Sequence, residues 1–208
     1  MLEVTKYEKL FSTPLMRFKV PDSVVLNAEL LFEAERLKEA DEGVEKSNRG
    51  GWHSKGNLFE HDAPSVQKLR EAARDAVIQM TRKVSNKVDP DSLHLKLFAW
   101  MNSNPAGGYN APHTHPGAHW SGVYYVSQPD VEDGSSGMIE FLDPRVDLAH
   151  WRVLKAGTFA SKRALRPEAG EMILFPSYLT HWVHPNQTDH NRITVAFNAT
   201  FRKQKAVK

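Results

Sequence analysis

Residues 170–185, GEMILFPSYLTHWVHP, show how the second half of the chain folds. A short apolar run follows Gly170 and ends at a Pro-Ser turn, and a second short run begins at His181. Runs of this length, rich in β-branched and aromatic residues and bounded by Gly and Pro, are typical of β-strands. The stretch therefore predicts a strand, a tight turn and a further strand that carries a histidine.

Similar runs recur along the chain after residue 90. They are SLHLKLFAWMN (92–102), SGVYYVSQ (121–128), SGMIEFLD (136–143) and RITVAFNATF (192–201). Short strands separated by turn residues are the signature of a β-sandwich or barrel. We therefore predict a mainly β structure for this half of the chain.

Before residue 90 the apolar residues follow a helical period instead. One such stretch opens at the capping candidates Asp22 and Ser23 and stops at Gly43, and another runs from Ser65 to Val84. Helices followed by strands favour an α+β fold in which the helices brace one face of a jelly roll.

Composition limits the class of protein. The chain has 208 residues, of which 40% are hydrophobic, so we expect a single domain over 1–208, with a helical support region over 1–90 and a β core over 91–203. The 27 basic and 25 acidic side chains nearly balance, which gives no clear signal for nucleic acid. The N-terminus lacks a signal-peptide pattern and no stretch approaches about 18 apolar residues, so we expect a cytoplasmic protein without a membrane partner.

Histidines are concentrated in the β half. Seven of the ten lie between residues 113 and 190, and APHTHPGAHW (111–120) places His113 and His115 two residues apart. If that stretch is extended, both imidazoles point to the same side, and His181 on another strand is the best third partner. Each histidine taken alone is also compatible with the surface or a hydrogen-bonded core position.

The residue types favour a catalytic metal site over a structural one. The chain contains no cysteine, so any metal must be held by His, Asp or Glu. Neutral imidazole suits Fe, Zn, Cu and Ni, whereas the absence of thiolates disfavours structural zinc. We predict a metal site formed by His113, His115 and His181.

Arg192 stands out in the last predicted strand. It lies in an otherwise apolar, β-branched stretch, and Thr194 two residues later shares its face. An inward guanidinium is costly unless it meets an anion, and its planar fork matches a carboxylate. Two interpretations stay open: Arg192 binds an anionic ligand, or it points to solvent or pairs with an acidic side chain.

Taken in order and spacing, these residues resemble the iron(II)- and 2-oxoglutarate-dependent oxygenases, whose core is a double-stranded β-helix. The resemblance covers about residues 93–201 and is particularly similar to a bacterial branch with the pattern Asn-x-x-His-x-His-Pro-Gly followed by Ser-Gly-x-Tyr-Tyr. It is carried by the stretch 170–185, by Arg192-x-Thr194, and by Asn110, His113, His115, Pro116, Gly117, Ser121, Gly122, Tyr124 and Tyr125.

The resemblance implies both a fold and an activity. The fold would be a double-stranded β-helix braced by the N-terminal helices, and the protein would be an Fe(II) dioxygenase that hydroxylates a substrate and releases succinate and CO2 from 2-oxoglutarate. His113 and His181 would ligate the iron. Arg192 would bind the distal carboxylate of 2-oxoglutarate, with Thr194 and Tyr125 adding hydroxyl donors.

One position departs from the family pattern. The superfamily supplies a carboxylate two residues after the first histidine, whereas this chain has His115, which makes the metal shell more positive by about one unit of charge. Glu140 or Asp143 could supply the carboxylate from another strand. In a further arrangement, which resembles the iron halogenases, His115 is the first ligand and Gly117 occupies the carboxylate position. We rank the three-histidine set first because one strand would present both imidazoles.

Two other functions remain open at this point. One is a cupin-like metal enzyme that uses three histidines without 2-oxoglutarate, and the other is a metal-free binding module on the same barrel. The expected substrate is a small molecule or a protein side chain. The N-terminal helices either cover the sheet or meet a second subunit, so a homodimer is one expected assembly. The long insertion over residues 143–165 is expected to form a lid or specificity element.

Overall fold

A computed structural model describes residues 2–131, 134–145, 153 and 156–203, and it confirms the predicted succession of helices and strands. The helices are α1 (Ser23–Ala40) and α2 (Pro64–Val84). The strands are β1 (Met16–Lys19), β2 (Asn48–Arg49), β3 (Trp52–His53), β4 (Leu93–Asn104), β5 (Tyr109–His113), β6 (Trp120–Ser127), β7 (Ile139–Leu142), β8 (Lys162–Leu165), β9 (Glu171–Pro176), β10 (His181–Val183) and β11 (Arg192–Lys203). Within these residues, every helix is too short or too polar to cross a membrane.

The strands form two antiparallel sheets. The major sheet has the order β1-β9-β6-β11-β4-β3, and the minor sheet has the order β2-β5-β10-β7-β8. Apolar side chains from both sheets, among them Tyr125, Phe141 and Phe175, form a buried cluster between them. This sandwich is the predicted jelly roll, and the residues predicted to form the site project into its interior.

The helices cover the outer face of the major sheet. Leu26 and Leu30 of α1 and Leu69 and Val77 of α2 are fully buried against side chains of that sheet. Alternation along β6 separates the two faces: the Tyr124 hydroxyl donates a hydrogen bond to Asn27 Oδ1 of α1, whereas Tyr125 lies between the sheets. The prediction that the helices brace one face is confirmed.

The start of α1 differs from the predicted cap. Asp22 occupies the N-cap position, but its backbone has φ of 52° and its side chain makes no capping hydrogen bond. The helix ends at Ala40, and Gly43 follows with φ of 82°, a conformation that favours glycine. The position of the helix is therefore as predicted, without the predicted capping interaction.

The region before residue 90 contributes more than helices. β1 pairs with β9 at one edge of the major sheet, β3 pairs with β4 at the other edge, and β2 extends the minor sheet beside β5. β2 and β3 have only two residues each, so neither shows the alternation by which a strand is recognised. The N-terminal part of the chain thus adds edge strands to both sheets and also braces the major sheet.

The predicted strand over 111–120 is wrong after its third residue. β5 ends at His113, and the chain then turns at Pro116 and Gly117, where Gly117 has φ of 85° and the Ala118 N–H donates to the His115 carbonyl. Proline cannot donate to a sheet and a left-handed glycine reverses the chain, which explains why the strand stops. A single strand therefore does not present both imidazoles.

The long insertion predicted as a lid is described only at its two ends. Residues 146–152 and 154–155 lie outside the described part of the chain. After them come a short 3-10 turn, Gly157–Phe159, and strand β8, which returns the chain to the edge of the minor sheet.

Candidate functional site

Three histidines meet in the interior of the sandwich. His181 of β10 lies directly opposite His113 of β5, and their ring centroids are 4.4 Å apart. The His115 ring lies 4.9 Å from that of His113 and 5.2 Å from that of His181. One ring nitrogen from each residue lies within 4.8 Å of the other two, so a single metal ion could contact all three.

Backbone carbonyls orient two of these rings. Nδ1 of His113 lies 2.7 Å from the Ala111 carbonyl oxygen, and Nδ1 of His181 lies 2.9 Å from that of Leu179. A carbonyl oxygen only accepts, so each Nδ1 carries the proton and each Nε2 presents a lone pair. A hydrogen bond of this kind holds a metal-ligating histidine in its working orientation.

His115 reaches the cluster by a different route. Its backbone N–H donates to the Ser177 carbonyl at 3.0 Å, which fastens the turn after β5 to the segment after β9. Its ring packs on that of Trp100, with the ring centroids 5.5 Å apart. The Trp100 ring in turn stacks nearly parallel on that of His53, with the centroids also 5.5 Å apart. A turn and an aromatic stack thus place this imidazole where the sequence predicted a continuous strand.

Burial keeps the three imidazoles neutral. Loss of solvent lowers the pKa of His181 to about 3 and that of His115 to about 4, and it also lowers the pKa of His113. The neighbouring imidazoles lower the pKa of His181 and His115 further. All three side chains therefore offer neutral nitrogen ligands near neutral pH.

The two carboxylates considered as alternative ligands lie elsewhere. On these strands Phe141 pairs with His181, and the adjacent residue Glu140 pairs with Trp182. Because neighbouring residues of a strand point to opposite faces, Glu140 faces away from the histidines. Its carboxylate accepts from Trp182 Nε1 at 3.1 Å and pairs with Lys162. Asp143 pairs with Arg145 at 2.5 Å. Among the described residues, the group of metal-ligating side chains that converges is the three-histidine set, which includes neither carboxylate.

Arg192 points into the same interior. It is 2% exposed, and its Nε donates to Gln128 Oε1 and to the Gly137 carbonyl, each at 3.1 Å. Its guanidinium carbon lies 5.2 Å from the centre of the Tyr125 ring. Burial lowers the pKa of Arg192, yet an arginine stays protonated in proteins, so the interior contains a cation. Within the described part of the chain, it forms no ion pair with a carboxylate.

Arg192 and the histidines line one cavity of about 40 Å³. Thr194 and Asn102 also line it, and they face each other across β11 and β4. Two buried polar atoms nearby lack a hydrogen-bond partner in the described structure: the Tyr125 hydroxyl and Asn102 Oδ1. Buried polar groups are normally satisfied, so unpartnered groups around a buried cation indicate a binding pocket.

The structure thus brings together all six residues singled out from the sequence. These are His113, His115, His181, Tyr125, Arg192 and Thr194. Sequence reasoning missed Asn102, Gln128 and Trp100. The signal for Asn102 and Trp100 was their two-residue spacing on β4, which places them on the inward face. Gln128 follows β6 and gave no comparable signal.

Comparison with known proteins agrees with this geometry. Residues 98–198 match the family described as "Putative 2OG-Fe(II) oxygenase". The resemblance inferred from the motifs is therefore confirmed, and so is the double-stranded β-helix. None of the curated proteins compared with this sequence matches it.

Several solved structures have a similar fold. A prolyl-4-hydroxylase of Pseudomonas putida has a TM-score of 0.66 and 14% identity, with 94% of this chain and 96% of that chain covered. HygX of Streptomyces hygroscopicus, solved with nickel and 2-oxoglutarate bound, has a TM-score of 0.60 and 15% identity, covering 90% and 83%. A prolyl hydroxylase of Trichoplax adhaerens has a TM-score of 0.61 and 12% identity, covering 89% and 83%. At these identities the similarity is one of fold.

Proposed function

We propose that this chain is an Fe(II)- and 2-oxoglutarate-dependent oxygenase that hydroxylates its substrate and releases succinate and CO2. One observation carries the proposal: three neutral imidazoles line the same cavity as a buried guanidinium that has no carboxylate partner among the described residues. The match of residues 98–198 to the oxygenase family supports it. The substrate is a small molecule or a protein side chain.

The residues present fit both groups that the family implies. His113, His115 and His181 would hold the iron, since neutral imidazole is a good ligand for Fe(II) and three ligands leave further positions open. The Arg192 guanidinium, which forms no ion pair with any residue that the structure describes, would receive the distal carboxylate of 2-oxoglutarate in two-point geometry. Burial raises the pKa of Tyr125 to about 12, so its hydroxyl stays protonated and is available as a donor.

The protein's own residues position these groups and exclude water. Bound Fe(II) and 2-oxoglutarate together supply the oxidising chemistry, in which dioxygen oxidises the keto acid to succinate and CO2 and hydroxylates the substrate. Ala111 and Leu179 keep the two imidazoles turned toward the metal through their carbonyls. Ile139 and Phe175 are buried beside the histidines and limit the access of water.

The neutral ligand set makes the co-substrate's charge important. Three imidazoles leave the full positive charge of a divalent metal in a cavity that already contains the Arg192 cation. Charges in a buried site interact strongly because screening by water is weak. A dianionic keto acid would compensate both positive groups, so we propose that iron and 2-oxoglutarate strengthen each other's binding.

The proposal is tested by succinate formation. The protein is incubated with Fe(II), 2-oxoglutarate and oxygen, and succinate is measured with and without candidate substrates. We expect iron-dependent succinate from the wild type and its loss in His181→Ala and Arg192→Met. His94→Ala and Arg202→Met are the matched controls, because both side chains are exposed and Arg202 lies on the same strand as Arg192.

Two outcomes would contradict the proposal. Iron bound by the histidines without any succinate would favour a three-histidine metal enzyme that does not use 2-oxoglutarate. Failure of the folded protein to bind iron, unchanged by His113→Ala, would favour a metal-free binding module.

A further inference from the structure

A second, larger cleft is lined in part by Phe141, whose ring centroid lies 6.0 Å from that of His181. It has a volume of about 600 Å³ and runs between the N-terminal segment (residues 7–15), the end of β7 and the edge strand β8. The inner cavity of about 40 Å³ has room for only a few water molecules by the usual measure of about 10–15 Å³ each. The outer cleft has the size of a ligand-binding pocket.

We propose that this outer cleft binds a substrate that carries a carboxylate on an apolar body, and that Arg163 binds the carboxylate. This inference rests on the proposed oxygenase function, since it assigns the molecule that is oxidised. It has three supports: the register of the minor sheet, the charges that line the cleft, and the apolar surface between Arg163 and the histidines.

The register places Arg163 in line with the histidines. His113 pairs with His181, His181 with Phe141, and Phe141 with Arg163, each directly across neighbouring strands. Residues opposite one another in a sheet point to the same face. Arg163 therefore lies on the inner face, and its Cα is two strand spacings, or about 9.5 Å, from that of His181.

Lys162, which also lines the cleft, is consistent with this assignment of faces. It is the neighbour of Arg163 and must point the other way, and its ammonium pairs with Glu140 on the outer face at 3.2 Å. Leu165, on the same face as Arg163, packs against the buried cluster between the sheets. Arg163 is thus the basic residue of β8 that faces the histidine side.

Two of the cations that line the cleft have no ion-pair partner in the described part of the chain. Glu8 pairs with Lys6 at 2.8 Å and Asp143 with Arg145 at 2.5 Å, so the acidic side chains of the lining are already paired. Lys9 and Arg163 also line the cleft, and neither forms an ion pair among the residues described. An arginine fork binds a carboxylate in two-point geometry, so this surface is complementary to an organic acid.

An apolar surface connects this cation with the histidines. Phe141 lies between Arg163 and His181, with its ring centroid 6.0 Å from that of His181. Leu179 and Leu15 join it in the lining of the cleft. A substrate held by its carboxylate at Arg163 would lay its apolar part over Phe141 and bring a carbon remote from the carboxylate to the metal.

The test uses probes that differ only in their head group. Octanoate, 1-octanol and octylamine are titrated calorimetrically, without oxygen, into protein loaded with Fe(II) and saturating 2-oxoglutarate. A second arm titrates a short apolar peptide with one glutamate, and the same peptide with glutamine, because a protein substrate would supply the same carboxylate. We expect the acid of at least one arm to bind about tenfold more tightly than its uncharged counterpart, and the arm that responds identifies the source.

Charge reversal makes the test independent of misfolding. Arg163→Glu should prefer octylamine over octanoate, a gain that an unfolded protein cannot show, and Arg70→Met on the exposed face of α2 should behave as the wild type. Equal binding of acid and uncharged probe in both arms, no binding of any acid, or an acid preference that survives Arg163→Glu would overturn the inference. If the wild type forms succinate while these results are negative, the substrate assignment fails and the oxygenase function stands. If instead the wild type forms no succinate and binds neither Fe(II) nor 2-oxoglutarate, the proposed function itself fails.

Discussion

His113 and His181 face each other across neighbouring antiparallel strands, and each ring is held by the carbonyl two residues before it. The contacts are to Ala111 at 2.7 Å and to Leu179 at 2.9 Å, and the two ring centroids lie 4.4 Å apart. The same local hydrogen bond thus exposes the same nitrogen, Nε2, on both sides of the pair. This matched arrangement is what a metal site requires of its ligands before the metal arrives.

Replacement of His115 should depend on what replaces it. His115→Ala removes one of the three proposed ligands, so we expect the affinity for Fe(II) to fall at least about tenfold. Loss of a group that only supports a metal ligand already costs about 10- to 100-fold in affinity. His115→Asp should retain the affinity, because the carboxylate provides an oxygen ligand and a negative charge. Affinities are measured by anaerobic titration, with His94→Ala as control. Equal affinity of His115→Ala and the wild type would show that His115 is not a ligand.

Arg192→Met should affect ligand binding and folding very differently. The guanidinium has no carboxylate partner among the described residues, so its loss should destabilise the ligand-free protein by less than the roughly 3–5 kcal/mol that breaking a buried ion pair costs. 2-Oxoglutarate affinity should fall about 30-fold or more, as expected for loss of a charged hydrogen-bonding partner. Denaturant unfolding and equilibrium dialysis measure the two quantities. If the affinity for 2-oxoglutarate is unchanged while the free energy of unfolding falls strongly, Arg192 is a structural residue.

The metal-free protein should lose stability on mild acidification. Burial lowers the pKa of His181 to about 3 and that of His115 to about 4, whereas an unfolded imidazole titrates near 6.5. Between those values the unfolded chain binds more protons than the folded one, so the free energy of unfolding should fall as the pH falls below about 6.5. Urea unfolding at pH 7.5, 6.0 and 5.0 measures it, and His181→Gln should flatten the slope. A wild-type stability that is constant over this range would contradict the neutral, buried state of the imidazoles.

Gly122→Ala should destabilise the fold, although Gly to Ala is often stabilising. A Cβ at Gly122 would lie 2.2 Å from the ring of Phe197, which is opposite on β11 and 1% exposed. Overpacking of a core costs about 1–3 kcal/mol. Urea unfolding should show this loss, and Phe197→Leu in the same chain should recover part of it. If Gly122→Ala unfolds at the wild-type urea concentration, the ring is free to move away.

The elements with a strong period were predictable from the sequence. α2 begins one residue from its predicted start and ends at Val84, and β4, β6, β7, β9 and β11 all fall on predicted runs. The reason is local: a helix or strand that buries one face repeats its apolar residues at a fixed spacing. The place of His181 beside the other two histidines was predictable, because residue type and position after a strand together limit the choice.

Features that depend on contacts between distant segments were not predictable. β2 and β3 are too short to carry a period and exist only because β5 and β4 lie beside them. His115 was placed correctly in the cluster for the wrong reason, since a turn and its hydrogen bond to Ser177 position it. The alignment of Arg163 with the histidines depends on the register in which β8 pairs with β7. The four residues of β8, KRAL, do not specify that register. A homodimer through the N-terminal helices remains a prediction.

If the histidines and Arg192 form one site in which metal and keto acid bind together, anaerobic binding of 2-oxoglutarate should depend on the metal and on both kinds of side chain. The dissociation constant is measured calorimetrically with and without one equivalent of Fe(II), for the wild type, His181→Ala, Arg192→Met and Arg202→Met. We expect one molecule of 2-oxoglutarate to bind per chain, much more tightly with Fe(II) than without. His181→Ala should lose this effect of Fe(II). Arg192→Met should lose the affinity for 2-oxoglutarate, whereas Arg202→Met should keep it. Binding that is independent of Fe(II), or that survives both site variants, would contradict the account.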